Sequence, residues 1–477
     1  MFEFPEPSEE LVRRYEISAP RYTSYPTAPE WKPDFGPEQY ALKLEEAGRD
    51  PASPFSMYVH LPFCREMCTY CGCNVIITRE QNKADVYLDH VLMEMDLAVR
   101  RLGDRRKLAQ IHWGGGTPTF LTPVQIERLF KAITDRFQIE PGAEVAIEID
   151  PVVTTREQLD LLRKLGFNRL SMGVQDFDPK VQQAVNRIQP AEETAALVTY
   201  ARSLGFSGVN FDLIYGLPFQ TKESWSQTLE KILAIRPDRM AVYSFAYVPD
   251  VKTHQKKIKP EWLPMGMQKL GLFLQAYKAF LSAGYRPIGM DHFALPEDEL
   301  SKAQEKRVLG RNFQGYTVTA AKDSIAFGVT GISDVAGSFS QNAHLLKKYY
   351  EAVEAGRFAT ERGIRLTEDD KKRRAAITQI MCNFWIDLGK DGYFATEARA
   401  AGPVREGRVA HAQRHPGRAD RPGAALRAQH RGQVRRLPEQ GRQGPADLLA
   451  NGLRQAQPRA TSGHLAPLNF HARPASL

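Results

Sequence analysis

The run HLPFCREMCTYCGCN at residues 60 to 74 holds Cys64, Cys68, Cys71 and Cys73, four of the five cysteines of the chain, within ten positions. Their spacing is C-x3-C-x2-C-x-C. Thiols clustered this closely, in a set of odd number, point to metal or redox chemistry rather than to a disulfide framework. A structural zinc site pairs two close cysteines with a second ligand pair many residues away, and no such pair is present. Cysteines at x3 and x2 can instead wrap a loop around three corners of a cubane iron–sulfur cluster. The fourth iron then lacks a protein ligand, and an open metal position is where chemistry occurs. Cys73 is separated from Cys71 by Gly72 alone and has little reach to that far corner. Cys382 falls on the apolar face of a helical pattern and reads as a buried, inert thiol.

Between residues 55 and 335, short apolar runs alternate with amphipathic helical patterns. The strand candidates are MYVHLPF (57–63), IHWGGG (111–116), EVAIEID (144–150), RLSMGVQ (169–175), VNFDLIYG (209–216) and MAVYSFA (240–246). Each precedes a helical stretch, among them ADVYLDHVLMEMDLAVRRL and KESWSQTLEKILAI. Strand runs with little polar alternation, separated by helices, indicate parallel βαβ units. Six units favour a partial (β/α)6 barrel over a doubly wound sheet, although spacing alone does not decide between them. Cys64, the GGGTP at 114–118, Glu148, Asp150, Gln175, Asp176 and Asp212 all stand where these strands end. In a β/α barrel those ends form one active face. The α/β chain therefore divides into an N-terminal segment covering the site (1–50), the barrel (51–335), a small helical domain (336–400) and a tail (401–477).

The net charge of +8 invites a nucleic-acid reading until its location is considered. Residues 401–477 contain thirteen Arg, no Lys and four acids, a balance of +9, which leaves −1 for residues 1–400. The body is nearly neutral, and no nucleic-acid partner is expected for it. The tail has no Ile, Met, Tyr, Trp or Cys and keeps neither helical nor strand periodicity. It reads either as a disordered basic arm or as codons translated out of frame. The abrupt shift inside an unfinished helical domain favours the second. No stretch of about 18 apolar residues occurs, so no membrane span is expected. The acid-rich start lacks the basic and apolar regions of an export signal, and the chain reads as cytoplasmic.

The pattern C-x3-C-x-(aromatic)-C, here Cys64, Cys68, Tyr70 and Cys71, resembles the signature of radical S-adenosylmethionine (SAM) enzymes. The resemblance narrows through PRYTSYPTA (20–28), YVHLPFC, CGCN, HWGGGTPT, NRLSMGVQDF, NFDLIYGLP, GMDHFA (289–294) and RNFQGYT (311–317), which look like the oxygen-independent coproporphyrinogen III oxidase family. A haem-binding chaperone on the same barrel is the alternative. It typically has C-x-F where this chain has Cys71-Gly72-Cys73, and it lacks the GMDHF and RNFQGYT pairing.

The resemblance implies a [4Fe–4S] cluster held by Cys64, Cys68 and Cys71, with Cys73 required but not a ligand. It implies two SAM molecules. Tyr58, Gly115, Glu148 and Ile332 match contacts of the first; Tyr70, Gly116, Thr117, Gln175, Arg187, Asp212 and Ala246 match contacts of the second. An electron from the cluster would cleave SAM to a 5′-deoxyadenosyl radical, which would start the conversion of two propionates of coproporphyrinogen III to vinyl groups. An electron donor and an acceptor of unidentified nature, and a monomeric enzyme, complete the expectation.

Each position also has a plainer reading. GGGTP would bring backbone amides close to a ligand, or would simply make a tight turn. Glu148 and Asp212 would accept from ribose hydroxyls or an amino group, or would cap helices. Arg187 would pair with a carboxylate or solvate its helix. His60, His112 and His292 have no ligand partners at useful spacing and read as packing or hydrogen-bonding residues. Four substrate carboxylates call for an Arg facing the pocket, and Arg311 is a candidate.

Overall fold

The computed structural model describes residues 23–318, 321–386 and 394. The tail at 401–477 and residues 20–22 of PRYTSYPTA lie outside the described residues. The described residues through Asn383 form one compact unit.

Six strands appear where apolar runs fall in the sequence: β1 (Phe55–Leu61), β2 (Lys107–Gly115), β3 (Gln138–Ile149), β4 (Arg169–Gln175), β5 (Gly208–Tyr215) and β6 (Arg239–Ser244). They are parallel neighbours in chain order. A doubly wound sheet would reverse its strand order at a switch point; the unbroken sequence of neighbours is the winding of a β/α barrel. The helices that follow β1 to β5 are α2 (Asn82–Leu102), α3 (Pro123–Thr134), α4 (Arg156–Leu165), the pair α5 (Pro179–Ala184) and α6 (Ala191–Ser203), and α7 (Lys222–Ile235), after α1 (Pro37–Gly48) at the start; α8 (Gly266–Ser282) and α9 (Glu299–Glu305) come after β6. Local chemistry sets where they begin. Thr122 with Gln125, and Thr155 with Gln158, form capping boxes that satisfy orphan amides at the starts of α3 and α4.

Alternation is stronger than the sequence reading supposes. In β4, Leu170, Met172 and Val174 are buried while Ser171, Gly173 and Gln175 are half-buried; in β5, Phe211 and Leu213 alternate with Asn210 and Asp212. The period of two turns one row toward the helices and lines the lumen with the polar row.

The sheet extends beyond the six units. At one side β6 pairs antiparallel with β8 (His292–Ala294), and β8 with β7 (Arg286–Gly289). At the other, β11 (Ser324–Phe327) pairs parallel with β1, followed by antiparallel β12 (Ile332–Val335), β13 (Ser338–Asn342) and β14 (Thr360–Arg365). The purely helical reading of residues after 335 therefore needs correction, because β13 and β14 continue the barrel sheet. The expected helices are present as α10 (Leu346–Glu354) and α11 (Glu368–Asn383). A short hairpin, β9 (Gly310–Asn312) with β10 (Gly315–Thr317), packs against α11.

Candidate active site

The cysteines lie on the loop that leaves β1. Phe63–Cys64 pairs with Ile76–Ile77, so the loop closes on itself around Cys68, Cys71 and Cys73. Its outer backbone is clamped by the segment after β6. His254 Nε2 lies 2.8 Å from the Cys71 carbonyl, Lys252 Nζ donates to the Cys73 carbonyl at 3.1 Å, and Gln255 Nε2 donates to the carbonyls of Tyr70 (3.2 Å) and Ala246 (3.1 Å). The sequence reading missed these three residues. Their contacts are made to carbonyls, which leave no pattern of side-chain types to read.

Cys64 Sγ lies 3.4 Å from Thr117 Oγ1, and Arg187 Nη1 lies 3.8 Å from Cys68 Sγ. Burial pushes the Cys64 thiol up to about 11 and raises Cys68, with Arg187 opposing the second shift. Cys71 is lowered, chiefly because Cys73 hydrogen-bonds to it, and Cys73 is raised in return. Cys73 thus faces its neighbour's sulfur. Among the described residues no three His, Cys, Asp or Glu side chains converge as the ligands of a single ion would. Buried thiols of raised pKa need a cationic centre to deprotonate them, and a metal cluster supplies one.

The strand ends supply the rest of the lumen. Glu148 accepts from His112 Nε2 at 3.0 Å and from the Gly115 amide at 3.1 Å. Burial would raise its carboxyl, but the hydrogen bond and charge of His112 outweigh that and hold it below the usual range. Asp212 accepts from Asn210 Nδ2 (3.0 Å) and lies 3.3 Å from Ser171 Oγ; burial and the charge of Glu148 push it up to about 7. One carboxylate is kept charged and its neighbour is poised near neutrality, a separation that lets Asp212 donate as well as accept. Tyr58 bonds to His60 Nδ1 (3.1 Å) and stacks on His112 at 5.9 Å. All three histidines of the sequence reading hydrogen-bond, His292 to Asp291 at 2.7 Å.

The glycines behave differently from a ligand-amide reading. The Gly115 amide goes to Glu148, Gly116 N to Leu61 O (2.8 Å) and Thr117 N to Phe63 O (2.8 Å). Those amides are therefore committed to protein acceptors. The need for glycine is steric: a Cβ on Gly116 would come within 2.7 Å of the Pro62 and Phe63 carbonyls, so only a bare Cα lets β2 end against the start of the cysteine loop.

On the opposite wall, Arg187 donates to Asp150 Oδ2 (2.9 Å) and to the Gly173 carbonyl (2.6 Å), which removes the helix-solvation reading. Gln175 sits at φ +66° where the β4–β5 register shifts. Gln175 Oε1 and Arg187 Nε are buried and have no hydrogen-bond partner among the described residues. Both side chains converge over Gly173, whose Cβ would lie 2.8 Å from Gln175 Nε2 and 3.3 Å from Arg187 Nη2. An unmet acceptor beside an unmet donor, next to the cysteine loop, fits a ligand with an ammonium and a carboxylate, as SAM has.

Tyr70 packs with Val181, Leu217 and Phe245 beneath the loop. Ile332 lies at the head of β12 and packs against Trp31 and Phe339. Asp176 turns away from the lumen: it is buried and accepts from Thr228 Oγ1 (2.7 Å) and Gln220 Nε2 (2.5 Å), fastening β4 to α7.

Residues 58–232 match the Radical SAM superfamily. The chain is 45% identical over 404 residues to the oxygen-independent coproporphyrinogen III oxidase of Escherichia coli (strain K12), covering 83% of this chain and 87% of that one. It is 42% identical over 377 residues to the enzyme of the same name from Pseudomonas aeruginosa, covering 79% and 82%. The solved structure of coproporphyrinogen III oxidase from Escherichia coli, described as a radical SAM enzyme, superposes with a TM-score of 0.77 at 44% identity, over 80% of this chain and 90% of that one. The chain belongs to the oxygen-independent coproporphyrinogen III oxidase family of the radical SAM superfamily.

Proposed function

We propose that this chain is the enzyme its family membership indicates, converting two propionates of coproporphyrinogen III to vinyl groups and giving protoporphyrinogen IX in haem biosynthesis. Each propionate loses a hydrogen atom, one further electron and CO2. The cofactors are a [4Fe–4S] cluster and two molecules of SAM, which when bound supply an oxidant able to take hydrogen from an unactivated carbon. Cys64, Cys68 and Cys71 would hold the cluster, with Cys73 beside them. Tyr58, Gly115, Glu148 and Ile332 would line the first SAM site; Tyr70, Gly116, Thr117, Gln175, Arg187, Asp212 and Ala246 would line the second. The unmet Gln175 Oε1 and Arg187 Nε, on side chains that meet over Gly173, with Arg187 Nη1 3.8 Å from Cys68 Sγ, support this assignment. The clamps on the Cys71 and Cys73 carbonyls keep the loop fixed while charge moves, and the polar lumen orients ligands that would otherwise be free to tumble. The electron donor and acceptor and the monomeric state are part of the same reading. Cytoplasmic placement agrees with the lack, among the described residues, of a helix long and apolar enough to cross a membrane.

The test is anaerobic reconstitution with iron and sulfide, then reduction with SAM and coproporphyrinogen III. Release of 5′-deoxyadenosine, methionine and a vinyl-bearing product is expected. Binding of haem without decarboxylation would identify a chaperone instead. Cys68→Ser should abolish cluster assembly; full cluster content in that variant would refute the ligand assignment.

A further inference from the structure

The β9–β10 hairpin carries a half-buried arginine that forms no ion pair among the described residues. Arg311 and Tyr316 are register partners, and the guanidinium lies 4.8 Å from the Tyr316 ring centroid. The ring is itself fixed, since Tyr316 donates to the Met381 carbonyl at 3.1 Å. Arg311 Nε and Nη1 are buried and meet no hydrogen-bond acceptor among the described residues. Leaving a guanidinium this poorly satisfied costs free energy unless an anion completes it. A cavity opens at this point, lined by Thr23, Arg311, Phe313, Arg374, Thr378 and Met381 together with Asp334. Arg374 is already paired with Asp334, so Arg311 is the cation in excess. A chain of ring contacts leads from this hairpin to the lumen. The Tyr316 ring meets His292 edge-on at 4.9 Å, His292 meets Tyr243 at 6.0 Å, and Tyr243 on β6 feels the charges of both Asp212 and Arg311.

We infer that Arg311 anchors a propionate carboxylate of the porphyrinogen, and that the carboxylate is one that remains in the product. This inference rests on the proposed reaction. An arginine paired with a reacting carboxylate would stabilise it relative to CO2 and raise the barrier, so a half-buried Arg with unmet donors is suited to the two propionates that survive.

The experiment measures binding of coproporphyrin III, the stable oxidised form with the same four carboxylates, by fluorescence titration of the anaerobic full-length holoprotein and its variants. Arg311→Met should weaken binding by ~30-fold or more, Arg311→Lys should retain part of the affinity, and the tetramethyl ester should bind wild type and Arg311→Met alike. The cluster spectrum and SAM binding should not change. Unchanged affinity in Arg311→Met would overturn the inference. So would equal loss in Met and Lys variants accompanied by a lowered melting temperature, because the residue would then be structural. So would millimolar inorganic phosphate stabilising wild type against heat through Arg311 while porphyrin affinity ignores the substitution, which would make the site one for a free anion. A wild type that binds coproporphyrin III through Arg311 but yields no vinyl product would instead refute the proposed reaction and leave the carboxylate site standing.

Discussion

Glu94 shows how a single buried carboxyl can set the frame of a site it does not enter. It lies on α2 with 1% of its surface exposed and accepts from Asn342 Nδ2 (2.6 Å), the Gly328 amide (2.8 Å) and Tyr349 OH (2.7 Å). Nearby, Tyr87 OH accepts from Val329 N at 3.0 Å and donates to the His60 carbonyl at 2.7 Å, so the same cluster holds the end of β1 from which the cysteine loop departs. Burial raises the Glu94 carboxyl to about 7. The folded protein thus holds this proton more tightly than the unfolded chain does. The associated stability is complete below the unfolded pKa and is lost as pH rises to about 7. Glu94→Gln removes that dependence and sets an amide N–H against a donor, at a cost of about 1–3 kcal/mol. In urea titrations the gap between wild type and variant should narrow by about 2 kcal/mol from pH 5.5 to 8; a gap independent of pH would show that Glu94 does not titrate in this range. No sequence pattern marks Glu94, which sits in a helix rich in ordinary acids. Cys64, Cys68 and Cys71 were legible because their chemistry and spacing are local. Glu148 and Asp212 were legible as carboxylates ending apolar strands, but their opposite shifts depend on His112 and on each other across the lumen.

At the scale of elements, the long apolar strands β1 to β6 could be read directly, whereas the flanking strands could not. Ser338–Asn342 is SFSQN and Thr360–Arg365 is TERGIR; neither run is apolar, and each becomes a strand because a neighbouring edge offers it a ladder. The loop after β6 is a similar case. Gln255 is 1% exposed, and besides the Tyr70 and Ala246 carbonyls it serves Val248 N, which donates to its Oε1 at 2.6 Å. Replacing it with Ala leaves three part-buried backbone groups short of a partner, at up to about 1–3 kcal/mol for any that water does not reach. Because two of those groups position the cysteine loop and the strand end beside it, Gln255→Ala should reduce iron and sulfide bound per chain after reconstitution while the far-ultraviolet circular dichroism of the barrel is retained. Full loading would mean that the loop is held by the cysteines and metal alone. Lys252 and His254, on the same segment, bond the Cys73 and Cys71 carbonyls directly, so their substitution should shift the cluster's electronic absorption more than its content.

The whole molecule separates chemistry from charge. Every residue assigned to cluster or SAM lies between Tyr58 and Ile332, and the described fold holds that stretch together at its base. Arg105, 1% exposed, donates to Asp323 at 2.6 Å and to the Ala47 and Ser53 carbonyls, tying the entry of β2 to that of β11. No residue assigned to cluster or SAM falls within residues 401–477, whose thirteen Arg and four acids account for the entire positive balance of the chain. Ending the chain at residue 400 lowers the net charge from +8 to −1. Association with a polyanion depends on cations that displace its counterions, and its salt dependence follows their number. The shortened chain should therefore elute from heparin at low salt while the full chain is retained, and both should assemble the same iron and sulfide per chain. Retention of the shortened chain would place a basic surface on the barrel itself. Loss of cluster on truncation would mean that the Arg-rich residues support the fold, a result that composition alone gives no reason to expect. Porphyrin affinity, measured in parallel, tells whether the cavity beside α11 is complete without those residues.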